Sequence, residues 1–114
     1  MSRIKELDVS ILLDLYGSLL TDKQFSILSM YYNDDYTLSE IAENEGSSPQ
    51  AVQDLLRRSK AKLSEWENAL KLMERFRMTE QALSRIEALI PVLPENAQTE
   101  ITAAAAQIRT AWED

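Results

Sequence analysis

The chain has 114 residues, enough for one domain or for one small domain with a helical extension. Hydrophobic residues make up 45% and charged residues 27% of it, which are globular values and exclude a disordered chain. The formal net charge of −7 argues against a protein that coats nucleic acid indiscriminately. With 2 Gly and 3 Pro, the chain is expected to be mostly helical.

Several classes of chemistry have no support in the sequence. The chain contains no Cys and no His, so disulfides, thiolate metal sites and the commonest catalytic bases are excluded. It has no glycine-rich phosphate loop and no nucleophile elbow. We therefore predict a protein that is not an enzyme, with no catalytic residues, metal, cofactor or small-molecule substrate. No signal peptide or membrane span is indicated, and we expect a cytoplasmic location.

The first two predicted elements are amphipathic helices. Apolar residues recur every three or four positions from about Ile4 to Leu20, and Gly17 within this run allows a close helix crossing. Thr21 and Gln24 then form a capping box that starts a second helix.

A polar turn of Asn33, Asp34 and Asp35 follows this second helix. The adjacent aspartates also suggest a metal or acid–base pair, but without a third ligand or a histidine we interpret them as turn-formers.

The next stretch is organised as a helix, a turn and a second helix. Thr37 and Glu40 form another capping box, and Gly46 ends the short helix that they start. Ser48 caps the second helix, and Pro49 takes its first position, where a missing N–H costs nothing. This local pattern predicts a helix-turn-helix.

The second helix of this motif has two predicted faces. Ala51, Val52, Leu55 and Leu56 are expected to face inward. In a helix-turn-helix, the outer face of the second helix meets the bases and phosphates of a nucleic acid. The candidate nucleic-acid surface consists of Ser48, Pro49, Gln50, Gln53, Asp54, Arg57, Arg58, Lys60 and Lys62.

The pattern T-L-x-E-I-A-x-x-x-G-x-S-x-x-A-V resembles the helix-turn-helix of the sigma-factor region 4 type. A helix-turn-helix also serves as a plain packing unit, so the motif leaves nucleic-acid contact and a structural or protein-docking role both open.

A more specific resemblance is carried by the run LLTDKQFSILSMYYNDDYTLSEIAENEG and the S-x-x-A-V that follows it. This half of the chain is similar to the YlxM-type family, small bacterial proteins associated with the signal recognition particle operon. The matching positions are Leu19 to Gln24, Tyr31, Tyr32, Asp34 to Tyr36, Leu38, Glu40 to Ala42, Gly46, Ser48 and Gln50 to Val52.

The resemblance implies an all-helical protein with a regulatory role in the signal recognition particle pathway, exerted through the particle's RNA or its GTPase. Two positions depart from the family pattern. Ser47 stands where an apolar residue is usual. Pro49 stands where a basic or similar residue is usual, which removes one candidate phosphate contact.

Beyond Ser48 the sequence has no obvious helix stop for about thirty residues. Apolar residues keep an a/d spacing and would pack on the first helix, on the C-terminal helix or on a second copy. A break is expected near Arg77 to Thr79, with Thr79 as the cap of a new helix. The residues predicted on the solvent side are Ser64, Glu65, Glu67, Lys71, Glu74 and Arg75.

The end of the chain predicts one more helix. Pro91 and Pro94 end the preceding helix, and Asn96 is expected to cap the last one. A stripe from Ile101 to Trp112 on this helix indicates either intramolecular packing or a dimer contact. We expect a homodimer, and the candidate dimer or packing residues are Trp66, Leu70, Met73, Ile108 and Trp112.

Together these patterns predict an all-α fold, with a helix-turn-helix domain at 1–62 and a helical extension at 63–114, or one continuous domain. The family resemblance implies the predicted function, which is non-enzymatic regulation in the signal recognition particle pathway by contact with RNA or with the particle protein. The alternative is a sequence-specific DNA-binding transcriptional regulator, in which Gln50, Gln53 and Arg57 would read base edges.

Overall fold

The computed structural model describes residues 6–113, with side chains from Asp8 onward, and this part of the chain is all-α. The predicted helical residue Ile4 lies outside the described residues. Short 3₁₀ turns follow α1 at Gly17–Leu19 and α5 at Ile90–Val92. The helices are α1 (Glu6–Tyr16), α2 (Asp22–Tyr32), α3 (Leu38–Glu45), α4 (Pro49–Leu70), α5 (Leu72–Leu89) and α6 (Glu95–Thr110).

The chain divides into two compact units between Met73 and Glu74. Lys62, where we predicted the first domain to end, lies inside α4. The predicted domains at 1–62 and 63–114, or one continuous domain, stay a prediction.

The first unit packs α1, α2 and α3 against α4. Its core is built from apolar side chains that are less than a tenth exposed, including Val9, Leu12, Tyr16, Ile27, Leu28, Ile41, Val52, Leu56 and Leu63.

Gly17 lies where α1 and α2 approach each other. A Cβ atom built on this residue would lie 2.6 Å from Cε2 of Phe25. The structure thus supports the close helix approach that the sequence suggested.

The predicted break in the long helix is in the wrong place. α4 ends at Leu70, and Lys71 adopts a left-handed conformation with φ of 59°. Thr79, the predicted cap, lies within α5 and donates its hydroxyl to the Arg75 carbonyl at 2.9 Å. The break comes earlier, at a point where the side chains of two residues of the first unit bind the first backbone N–H groups of α5.

Those side chains are Tyr16 and Glu67. Glu67 Oε1 accepts hydrogen bonds from the Tyr16 hydroxyl at 2.7 Å and from the Met73 N–H at 2.9 Å. The Leu72 N–H donates to the Tyr16 oxygen at 3.1 Å. Glu67, which we placed on the solvent side, is only 8% exposed, so that prediction was wrong. Its burial is stabilised by these partners, because a lone carboxylate would not be tolerated there.

The second unit is an antiparallel pair made of α6 and the part of α5 from Glu74 onward. Phe76, early in α5, packs edge-to-face on Trp112, with ring centroids 5.4 Å apart. Arg109 binds Glu87 at 2.6 Å and Glu80 at 3.3 Å. The pKa of the Arg109 guanidinium is raised, chiefly by its hydrogen bond to Glu87.

Asn96 does not cap α6 as we predicted. The helix begins at Glu95, and Pro94 occupies the cap position without a side-chain hydrogen bond. Pro94 has a φ of −57°, close to the helical value, so its ring sets a helical φ two residues before the predicted cap.

Candidate nucleic-acid interface

Local side-chain contacts shape the helix-turn-helix as predicted. The Thr37 hydroxyl accepts from the Glu40 N–H at 3.1 Å, and the Glu40 carboxylate accepts from the Thr37 N–H at the same distance. Gly46, the C-cap of α3, adopts a left-handed backbone conformation with φ of 67°. Ser48 Oγ accepts from the Ala51 N–H at 3.1 Å, and α4 begins at Pro49.

Besides Glu67, the buried face of α4 differs from its predicted composition at two positions. Val52 and Leu56 are buried as expected, but Ala51 is exposed and that prediction was wrong. At about 100° per residue, Ala51 lies about 110° from the centre of the buried face. Ser59 is fully buried and was missed, although it is spaced three residues after Leu56. Its hydroxyl donates to the Leu55 carbonyl at 2.7 Å, which makes burial tolerable.

The candidate nucleic-acid surface consists of two stripes on α4. Gln50, Gln53, Arg57 and Lys60 form one, which we call the groove-side stripe. Asp54, Arg58 and Lys62 form the other, the far stripe. Their centres are about 120° apart around the helix axis, so a flat ligand would not contact both equally. Ser48 lies at the cap, where its hydroxyl is already hydrogen-bonded.

Asp54 binds both arginines of this surface. Its Oδ1 atom accepts from Arg57 Nη2 at 2.5 Å, and its Oδ2 atom lies 3.0 Å from Arg58 Nε. The hydrogen bond from Arg57, together with the charge of Arg58, lowers the pKa of the Asp54 carboxyl below its ordinary value. The carboxylate therefore stays ionised and holds the two guanidinium groups close to the helix.

The two lysines of the surface also have partners. Lys60 Nζ lies 5.6 Å from the centre of the Tyr32 ring, within the range of a cation–π contact. Lys62 Nζ lies 3.8 Å from Glu65 on the same helix. Both contacts involve flexible side chains, which can exchange these partners for a phosphate.

A groove of about 280 Å³ opens between α2, α3 and α4, beside the groove-side stripe. Sequence reasoning did not assign its tyrosines to the site, although they lie in the YYNDDY run that carried the family resemblance. We call it the tyrosine groove, and it is lined by Tyr31, Tyr32, Leu38, Gln53, Leu56, Arg57 and Lys60.

Three of the five candidate dimer or packing residues pack within their own unit. Trp66 lies 6.4 Å from Tyr16, centroid to centroid, and Met73 packs against the core of the first unit. Trp112 packs on Phe76. Leu70 and Ile108 remain 48% and 43% exposed.

Two further properties bear on function. Among the described residues, no group of three or more His, Cys, Asp or Glu side chains is placed to hold a metal ion. None of the helices between residues 6 and 113 combines the length and the hydrophobicity needed to cross a membrane.

Residues 4–102 match the model of a family described as "Putative helix-turn-helix protein, YlxM / p13 like". A UPF0122 protein of Clostridium acetobutylicum is 39% identical over 90 residues, covering 79% of this chain and 78% of the relative. One of Clostridium kluyveri is 42% identical over 93 residues, covering 82% and 84%. One of Malacoplasma penetrans is 44% identical over 87 residues, covering 74% and 81%. These matches extend beyond the half of the chain whose residues carried the family resemblance.

Proposed function

Because the chain belongs to this YlxM/p13-like helix-turn-helix family, as predicted from its sequence, we propose that it is a non-enzymatic regulatory protein of the signal recognition particle pathway. Its helix-turn-helix contacts nucleic acid, by preference the RNA of the particle, or the particle's protein. The proposal requires a cytoplasmic location. Support comes from the family resemblance and from the surface of α4.

The charge distribution along α4 carries this proposal. Arg57, Arg58, Lys60 and Lys62 contribute four positive charges, and Asp54 and Glu65 remove two. Without Glu67, which is buried, the charged side chains on the surface of this helix thus have an excess of two positive charges, in a chain with a net charge of −7. This face attracts phosphates, while the acidic remainder disfavours indiscriminate binding.

The groove-side stripe also favours a second candidate, sequence-specific binding to duplex DNA. Gln50, Gln53 and Arg57 are aligned along one side of α4, and amide and guanidinium groups match adenine and guanine edges in the major groove. However, Arg57 is bound to Asp54 and would have to give up that contact to read a base. We therefore rank sequence-specific binding to duplex DNA second.

The test is binding of the purified protein to signal recognition particle RNA, to the assembled particle and to random duplex DNA across a salt series. We expect binding to the RNA or particle to persist at near-physiological salt while duplex binding is lost. Replacing Arg57 and Arg58 together by Ala should abolish that binding. Replacing Arg75 and Arg85 together by Ala, an equal loss of charge at residues that do not belong to the candidate nucleic-acid surface, should not.

Equal, weak binding to all three ligands that disappears steeply with salt would contradict the proposal, because it would indicate only nonspecific phosphate contacts. If the protein is instead a sequence-specific DNA-binding regulator, Gln53→Ala should relax its preference for one duplex sequence.

We also propose that the protein is a homodimer. Residues Met78, Ala82, Ile86 and Leu89 form an exposed apolar stripe along α5, spaced by four, four and three positions. In the described part of the second unit, Leu83 and Ala105 are the only buried apolar side chains. So small a core rarely stabilises a folded unit alone, and association of two copies commonly supplies the missing buried apolar area.

A further inference from the structure

The tyrosine groove combines aromatic walls with an apolar floor. Tyr31 and Tyr32 are half-buried, and their rings meet edge-to-face with centroids 4.9 Å apart. Leu56, only 6% exposed, and the half-buried Leu38 provide the aliphatic surface. The volume, about 280 Å³, lies at the lower end of ligand sites, which suits a small planar group.

The charged residues that line the groove are all positive. Arg57 and Lys60 are cations, Gln53 is neutral, and none of the described residues that line the groove is acidic. The Arg57 side chain is 72% exposed, so its guanidinium group is accessible at the rim. A planar ligand attached to negative charge matches this arrangement better than a neutral or cationic one.

We propose that the tyrosine groove binds one unstacked base of single-stranded RNA. The base stacks on the tyrosine pair, the Gln53 amide contacts its edge, and Arg57 and Lys60 bind the flanking phosphates. This inference rests on the proposed function and specifies the form of nucleic acid that the motif recognises. Bases of a duplex stay stacked and cannot enter a groove, whereas RNA loops and bulges present bases to aromatic side chains.

Lys60 changes partner in this scheme. Its ammonium group now lies 5.6 Å from the centre of the Tyr32 ring, and an incoming base takes over this contact. The lysine side chain is long enough to turn toward the phosphate next to the bound base. Lys60→Gln should therefore reduce the magnitude of the log–log salt slope by about 0.7, the value for one phosphate contact on a single strand.

The test uses a single-stranded RNA of about eight nucleotides with 2-aminopurine near its centre, and a duplex of the same sequence. Stacking on tyrosine should quench the 2-aminopurine fluorescence when the single strand binds, and the single strand should bind more tightly than the duplex. Tyr32→Leu should weaken single-strand binding on the order of tenfold and abolish the quenching, because it removes the ring. Tyr32→Phe, which keeps the ring, should bind like the original protein.

Tyr36→Leu is the matched control, since Tyr36 is 40% exposed and does not line the groove. Tyr31→Leu provides a second test of the groove if Tyr32→Leu fails to fold, as judged by circular dichroism.

Three outcomes would overturn the groove proposal. One is equal affinity for duplex and single strand, and another is unchanged quenching in both leucine variants of the groove. In either case, loss of binding on replacing Arg57 and Arg58 by Ala would leave the proposed function standing. The third is no binding to RNA at all, which would also overturn the RNA form of the proposed function.

Discussion

The phenol of Tyr16 in α1 donates a hydrogen bond to the carboxylate of Glu67 in α4, 51 residues away. The same two side chains bind the Leu72 and Met73 N–H groups, so they cap the start of α5. A helix N-terminus has free N–H groups that need partners. The pair therefore stabilises both the packing of the first unit and the position of the break between α4 and α5.

Tyr16→Phe should test this arrangement. The substitution keeps the ring but removes a donor to Glu67 and the acceptor for the Leu72 N–H. A buried polar group without its partner costs about 1–3 kcal/mol, so the free energy of unfolding in urea should fall by about this amount. The exposed Tyr36→Phe is the control and should change it little. Equal stability of Tyr16→Phe and the original protein would show that the contact is not stabilising.

The pH dependence of stability offers an independent test. Burial, followed by the hydrogen bond with Glu67, raises the pKa of Tyr16 to about 12 from 10.0. Between these values the unfolded chain has released the phenol proton and the folded chain has kept it. The raised pKa of Tyr16 thus contributes to the free energy of unfolding. This contribution is complete below pH 10 and is lost as pH rises through 12; for two pKa units it amounts to about 3 kcal/mol at most.

We therefore expect the original protein to lose more stability than Tyr16→Phe as pH increases over this range. Urea unfolding at a series of alkaline pH values would measure it. Parallel decreases in the two proteins would contradict the raised pKa of Tyr16, because the remaining tyrosines are common to both.

Asp54→Asn should strengthen nucleic-acid binding. The substitution removes the carboxylate that holds Arg57 and Arg58, so both guanidinium groups become available to phosphates. Affinity for RNA should rise at low salt, and the log–log salt slope should become steeper by about 0.7 for each added contact. Fluorescence anisotropy with a labelled RNA would measure both.

Glu100→Gln is the control for Asp54→Asn, because it changes the net charge equally at an exposed position on α6. If both variants bind alike, the gain arises from overall charge rather than from release of the arginines.

Leu89→Glu should dissociate the proposed homodimer. Leu89 is 62% exposed, so the charge is tolerated in a single chain but is costly in an apolar interface. Sedimentation equilibrium should give the mass of two chains for the original protein and of one for the variant. Ser84→Glu, also exposed on α5, is the control. A single-chain mass for the original protein would contradict the dimer.

Gly17→Ala tests the close approach of α1 and α2. The added methyl group would lie within 3 Å of the Phe25 ring, which must move aside. Overpacking of this kind costs about 1–3 kcal/mol, and the lower end is expected because Phe25 is 43% exposed. In a Phe25→Ala background the cost should largely disappear. An equal cost in both backgrounds, measured by urea unfolding, would mean that contact with the ring is not its cause.

The sequence alone determined the family, the all-α class and the caps of the helix-turn-helix. Thr37 with Glu40, and Ser48 with Ala51, are three residues apart, so local geometry brings them together in any fold that contains these helices. Gly46 was predictable for the same reason, because a left-handed helix end favours glycine wherever it occurs.

Tertiary structure decided the features that depend on distant partners. Helical periodicity indicates which face is apolar, but it does not show that Glu67 is stabilised in the core by Tyr16. The break at Lys71 follows from that contact, and the tyrosine groove exists only because α2 packs beside α4. The Glu67 carboxylate is buried because packing supplies its hydrogen-bond partners, and one of them, Tyr16, lies far away in the sequence.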